Sequence, residues 1–215
     1  MQLIMSKLRI DIKRQVRIAF IVIALFVLPS CQSLSVNNST EINKSTKFDI
    51  TALEAKLQKL NKWAAKGVIG IRYNGKADSA NYVYSQNGDD FSIKLYGPLG
   101  IGSIEIKGND KEAIFVDNKG KKTQANNLES LMMHKLGWFV PVEGLKNWIK
   151  GIPVSDKDTD RHIDNNNLTQ VLLEKGWKID YQGYKMFDDQ YPLPTKIKMT
   201  RDDLSLKIII KSWQV

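Results

Sequence analysis

Cysteine and histidine are nearly missing from this chain of 215 residues, which has one cysteine, Cys31, and two histidines, His134 and His162. A lone thiol has no partner for an internal disulfide. So few soft ligands, so far apart, cannot build a zinc or iron site. No G-x-S-x-G elbow occurs, and no serine stands with a histidine and an acid in a recognisable order. The stretch Gly97-Pro98-Leu99-Gly100-Ile101-Gly102-Ser103 lacks the lysine of a phosphate loop and joins two strand-like runs, so it reads as a β-turn. Asp188-Asp189 and Asp202-Asp203 fall at predicted turns, where acids face water. The expectation is a protein that is not an enzyme and carries neither metal nor cofactor. Nor is there an Arg/Lys-rich stretch interleaved with aromatics, so nucleic acid is not an expected partner.

A long apolar run is also lacking. The longest, Ile18 to Leu28, has eleven residues, against roughly 20 for a helix crossing the hydrocarbon core. It follows a segment with Lys7, Arg9, Lys13, Arg14 and Arg17 against the single acid Asp11, which is the n-region and h-region pattern of an export signal, with Met1 or Met5 as its start. Leu28-Pro29-Ser30-Cys31 then stands where a lipobox belongs. The reading is a lipoprotein signal peptide over residues 1–30, cleaved before Cys31, with acyl chains on that cysteine. Without residues 1–30 the net charge falls from +9 to +5. The remaining basicity suits an anionic membrane surface or an acidic partner, or solvated strand faces.

Residues 31–47 are mostly Ser, Asn and Thr with a few charges, and read as a flexible tether. One folded domain is expected over residues 48–215. Thr51 and Glu54 resemble a capping box, and Leu53, Leu57, Leu60 and Ala64 keep helical spacing until Gly67. The period then changes to two. Ile69-Ile71-Tyr73, Ala80-Tyr82-Tyr84, Phe91-Ile93-Leu95, Ile104-Ile106 and Ile114-Val116 are separated by turn residues at Asn74-Gly75, Asn87-Gly88, Gly97 and Gly108-Asn109, the pattern of an antiparallel meander. Two short helices, Asn127–Leu136 and Val142–Lys150, and a polar loop over Ser155–Asn167 precede further strands at Thr169–Leu173, Trp177–Tyr181, Ile197–Met199 and Leu204–Ile210. The fold class is α+β: one curved antiparallel sheet covered by a few helices. Such a lid is small for such a sheet. An open, incomplete barrel with an apolar lumen and an ordinary filled core both satisfy the pattern.

Several stretches, in order, resemble the outer-membrane lipoprotein receptor family LolB. They are Trp63 to Gly67, Tyr84-Ser85-Gln86-Asn87-Gly88, Leu95-Tyr96-Gly97-Pro98-Leu99-Gly100 with Ile104-Glu105-Ile106, and Val116-Asp117-Asn118-Lys119-Gly120. Trp148-Ile149-Lys150-Gly151-Ile152-Pro153, Gly176-Trp177-Lys178-Ile179 and the terminal strand with Trp213 complete the set. Soluble carriers of lipoproteins share the open-barrel shape but lack the acylated cysteine, so Cys31 points to the receptor.

The resemblance implies a monomeric receptor on the periplasmic face of the outer membrane. It would accept lipoproteins from a soluble LolA-like periplasmic carrier and insert them among the phospholipids of the inner leaflet. Gln32, which is not the aspartate of inner-membrane retention, agrees with that destination. The resemblance also implies an apolar lumen for acyl chains, for which the candidates are Trp63, Ile71, Tyr82, Tyr84, Ile93, Leu95, Ile106, Met132, Trp148, Trp177 and Trp213. It further implies a membrane-inserting turn at Pro98, Leu99 and Gly100, with Leu99 protruding. Two alternatives remain: a lipid-anchored protein that binds another lipid or glycolipid, and a structural lipoprotein.

Overall fold

Asp49 starts the first helix, α1 (Ile50–Lys59), by accepting a hydrogen bond from the Ala52 amide at 3.0 Å. In the computed structural model, which describes residues 39–97, 102–109, 111–155, 157 and 159–215, this cap replaces the expected Thr51–Glu54 box. Glu54 is instead paired with Arg161. The helix is also shorter than its apolar spacing predicts. Leu60 leaves helical geometry, and from Lys62 the chain is strand β2 (Lys62–Tyr73). Buried Trp63 and Ala65 there alternate with exposed Lys62 and Lys66. Gly67 is therefore no helix stop. A Cβ on it would lie 1.8 Å from the carbonyl oxygen of Ile209, so its lack of side chain lets a neighbouring strand approach.

The meander continues through β3 (Lys76–Asn87), β4 (Asp90–Tyr96), β5 (Ser103–Gly108), β6 (Ala113–Val116) and β7 (Lys122–Ala125). Asn74 and Gly75, with φ of 49° and 72°, make the β2–β3 turn, where two positive dihedrals match strand twist. Helices α2 (Leu128–Leu136), capped by Asn127, and α3 (Val142–Trp148) follow. The second half comprises β8 (Asp160–Ile163), β9 (Thr169–Glu174), β10 (Trp177–Tyr181), β11 (Tyr184–Phe187), β12 (Tyr191–Pro194), β13 (Lys196–Arg201) and β14 (Leu204–Gln214).

Eleven strands form one antiparallel sheet in the order β7-β6-β5-β4-β3-β2-β14-β13-β10-β9-β8. Its ends, β7 and β8, are each paired on one side only, so the sheet is open. It is also curved. Ile93 on β4 and Met199 on β13 lie four strands apart, about 19 Å across a flat sheet, yet both line one cavity. The expected α+β fold with an open antiparallel sheet is the observed one, and β1 (Ser39–Glu41), β11 and β12 form a second, three-stranded sheet.

Two segments expected to be irregular are ordered. Within the polar stretch 155–167, β8 pairs with β9. Within the stretch expected as tether, β1 (Ser39–Glu41) pairs with β11, and the Asn166 amide donates to the carbonyls of Asn43 and Thr46. Among the described residues, ordered structure thus already includes Ser39, within the stretch expected as tether, because backbone pairing and one side-chain amide hold a segment too polar to bury itself. Among the described residues no helix is long and apolar enough to cross a membrane. Cys31, Pro98, Leu99 and Gly100 lie outside the described residues.

Candidate functional site

The inner face of the sheet is built from facing apolar pairs. Tyr82 stands opposite Leu95 and Tyr84 opposite Ile93. Ile106 is opposite Ile93 and Ile104 opposite Leu95, while Ile69 faces Ile208 and Ile71 faces Leu206. Over this face α3 brings Gly144, Leu145 and Trp148. The enclosed space is a cavity of about 60 Å³ between Ile69, Tyr82, Tyr84, Ile93, Leu95, Met199 and Ile208 on the sheet and the α3 residues with Ile149. No charged side chain lines it.

A larger groove of about 480 Å³ opens towards the β4–β5 turn. Ile71, Tyr73, Leu95, Ile104, Leu136 and Trp138 form its apolar walls, with Lys76, Asp78 and Ser79 at the edge and Gly97 and Gly102 at the turn. Leu95 belongs to both spaces. That single side chain is the shared wall between the open groove and the closed cavity.

Trp148 closes the cavity on the far side. Its indole Nε1 donates to Glu174 Oε2 at 2.6 Å, and the ring lies so close to α3 that a Cβ on Gly144 would meet it at 2.5 Å. Glu174, buried at the end of β9, also accepts from the amides of Val154 and Ser155 and from the Thr159 hydroxyl. These four donors hold the carboxylate in place as a fixed post.

Tyr84 donates to Gln86 Oε1 at 3.2 Å. The Tyr82 hydroxyl, also buried, has no protein partner, and the same holds for Nε1 of Trp63 and of Trp177. Burial raises the pKa of both Tyr82 and Tyr84, so the cavity wall is neutral at any physiological pH. Buried Lys150 donates to the Leu57 carbonyl at 2.7 Å, at the end of α1, and burial, with a smaller effect from Lys146, lowers its pKa to about 8.

Of the eleven lumen candidates, Ile71 and Leu95 line the groove, and Tyr82, Tyr84, Ile93, Leu95 and Trp148 line the cavity. Trp63, Ile106, Met132, Trp177 and Trp213 line neither and are packed into the core. Trp63 meets Tyr84 edge-on at 4.6 Å and Trp213 at 5.4 Å, and the Trp213 Nε1 donates to the Pro194 carbonyl. Sequence reasoning missed Tyr73, Ile104, Leu136, Trp138, Leu145 and Met199 among the lining residues. It also missed Glu174, although an acid in register with Leu172 on the apolar face of β9 is a readable signal.

The cavity offers neutral, apolar contact, and the groove carries charge only at its edge, on Lys76 and Asp78. A family model described as outer membrane lipoprotein LolB matches residues 61–213. The chain belongs to the LolB family. A relative named outer-membrane lipoprotein LolB from Francisella tularensis subsp. tularensis (strain FSC 198) is 49% identical over 98% of this chain and 100% of its own length. Another of that name, from Pseudomonas syringae pv. syringae (strain B728a), is 30% identical over 92% of this chain and 94% of its own. Among solved structures, a DUF1329 family protein from Desulfovibrio piger aligns with a TM-score of 0.51 at 10% identity, over 77% of this chain and 91% of that one, a likeness of fold alone. The LolB match spans both walls of the groove, from β2 through β5 to α2.

Proposed function

We propose that this protein is an outer-membrane lipoprotein receptor that takes lipoproteins from a soluble LolA-like periplasmic carrier and inserts them into the inner leaflet of the outer membrane. The observation that carries the reading is the apolar groove leading to a neutral cavity on the inner face of a LolB-family sheet. The groove lies within the usual 300–1,000 Å³ of ligand pockets. The cavity, at about 60 Å³, equals the share of about two water molecules, so an acyl chain enters only if α3 and the residues after it give way.

Acyl chains move downhill. No nucleotide is available in the periplasm, and at about 0.8 kcal/mol per buried CH₂ a few methylenes of difference between carrier, receptor and bilayer set the direction. A cavity lined without charges, behind a groove whose walls are apolar, reads hydrocarbon and not peptide sequence, which suits a receptor for many cargoes. Cys31 carries the anchor in this reading, and Leu99 meets the bilayer beside the groove. Gly97 and Gly102, which flank that turn and line the groove, support its placement at the mouth. No step requires catalysis, and one copy of the chain suffices.

The test is reconstitution with a radiolabelled lipoprotein on its carrier. Label is expected to move first to this protein and then to liposomes. Failure to take label from the carrier, with a different lipid copurifying in the groove, would overturn the reading.

A further inference from the structure

The outer face of the central strands carries a cluster of lysines that no ion pair among the described residues neutralises. Lys66 on β2 alternates with buried Ala65 and Gly67, Lys196 and Lys198 on β13 alternate with buried Ile197 and Met199, and Lys207 on β14 lies between buried Leu206 and Ile208. All four therefore point away from the cavity, as does Lys94 on β4. Lys198 and Lys207 are directly opposite one another across the β13–β14 ladder, a placement in which like charges repel. Next to them, between Lys196 and Val68 in register, Ile209 is 46% exposed.

Two carboxylates border the cluster, Asp180 beside Lys198 and Glu105 beside Lys94. Each already holds another lysine: Asp180 pairs with Lys178 at 3.4 Å and Glu105 with Lys107 at 3.5 Å. Among the described residues no ion pair engages Lys66, Lys94, Lys196, Lys198 or Lys207.

We infer that this face is a docking surface for anionic phospholipid headgroups, with Ile209 entering the interface between them. The composition decides between lipid and protein. Protein interfaces deplete lysine and enrich tyrosine, tryptophan and arginine, whereas a lysine cluster around one apolar side chain is what an anionic bilayer attracts, at a distance limited by salt screening. The inference rests on the proposed membrane-anchored receptor and adds to it an orientation: at rest the domain lies with the outer face of β13, β14 and β2 on the leaflet that holds its anchor.

The experiment uses the acylated mature protein in liposomes. Its only native cysteine is the proposed acylation site, so a single Ser205→Cys variant carries an environment-sensitive fluorophore on this face, and Ser130→Cys on α2 carries a control. In vesicles with 30% phosphatidylglycerol the Ser205 label is expected to shift to the blue and to be quenched by brominated lipids. It should do neither in pure phosphatidylcholine or at high salt, nor in the Lys66→Gln/Lys196→Gln/Lys207→Gln background. The Ser130 label should stay aqueous throughout. A Ser205 label indifferent to phosphatidylglycerol, or one responding to soluble poly-glutamate and not to vesicles, overturns the inference. The readout does not involve cargo. Normal transfer with an indifferent label refutes this face alone, and a responsive label without transfer refutes the receptor reading alone.

Discussion

Trp148 and Glu174 are 26 residues apart in sequence, yet the indole Nε1 lies 2.6 Å from the carboxylate, which ties the end of α3 to the end of β9. The same carboxylate fixes the amides of Val154 and Ser155. Glu174→Ala leaves buried donors without partners, each worth about 1 to 3 kcal/mol. The expected result is a loss of about 3 kcal/mol in urea unfolding, with greater binding of an apolar dye as Trp148 loosens. Unchanged stability would show that the chain after α3 is held by other contacts.

Lys150 makes stability depend on pH in an uncommon direction. Burial lowers its pKa from 10.5 to about 8 in the folded protein, so between those values the unfolded chain holds the extra proton. Stability is therefore depressed below pH 8, rises between about pH 8 and 10.5, and levels off above that. The full span is about 3 kcal/mol. Urea midpoints between pH 7.5 and 10.5 should rise in the wild type relative to Lys150→Met, which lacks the titrating group. Parallel curves for the two proteins would refute this assignment.

Tyr82→Phe removes a hydroxyl that is buried without a protein partner. Losing a phenol usually costs stability, but here no protein hydrogen bond is lost and a desolvation cost disappears. Thermal unfolding is expected to show an unchanged or higher midpoint, by up to about 1 kcal/mol in stability. A marked loss would mean that the hydroxyl is engaged by an ordered water.

Leu99→Glu tests the membrane contact proposed between Gly97 and Gly102. Burying one leucine among acyl chains contributes about 1.5 to 3 kcal/mol, enough to bias how the mouth meets the bilayer but too little to anchor the protein. Acceptance from the carrier should persist while delivery to liposomes drops sharply. A defect at acceptance, or normal delivery, would move the membrane contact elsewhere.

Gly67→Ala should be severe, because the added carbon would meet the backbone of Ile209 at 1.8 Å and no flexible group can yield there. Loss of the β2–β14 ladder is expected, seen as fast hydrogen exchange at Ile69 and Ile208. Native exchange rates in the variant would contradict the close approach.

Much of the sheet is legible in the sequence because one face is buried and turn residues punctuate each strand. Ile69-Ile71-Tyr73 before Asn74-Gly75 is enough to place a strand and its hairpin. The end of α1 is not legible, since Leu60 and Ala64 satisfy helical spacing while Trp63 and Ala65 satisfy a strand, and only packing decides. β1 and β8 are short edge strands with few buried residues, and β12 carries Pro192 and Pro194, which edge strands tolerate. At the candidate site, alternation identifies which residues face inward, as for Tyr82 and Ile93. It cannot tell Trp148, which borders the inner cavity, from Trp177, which does not, because an opening belongs to several facing side chains at once. The lysine cluster is likewise invisible until register sets Lys198 against Lys207.

Strand β14 sits between β2 and β13 in the sheet order, so the last of the described strands in chain order is the one that joins the two halves. Until Leu204–Gln214 is available, β2 to β7 and β8 to β13 share no ladder, and β2 waits for a partner more than a hundred residues away. Pairing at such separation is slow. A chain in which β14 has not yet paired therefore holds two separate sheets, and the inner face that brings Ile69 and Ile93 together with Met199 does not yet exist.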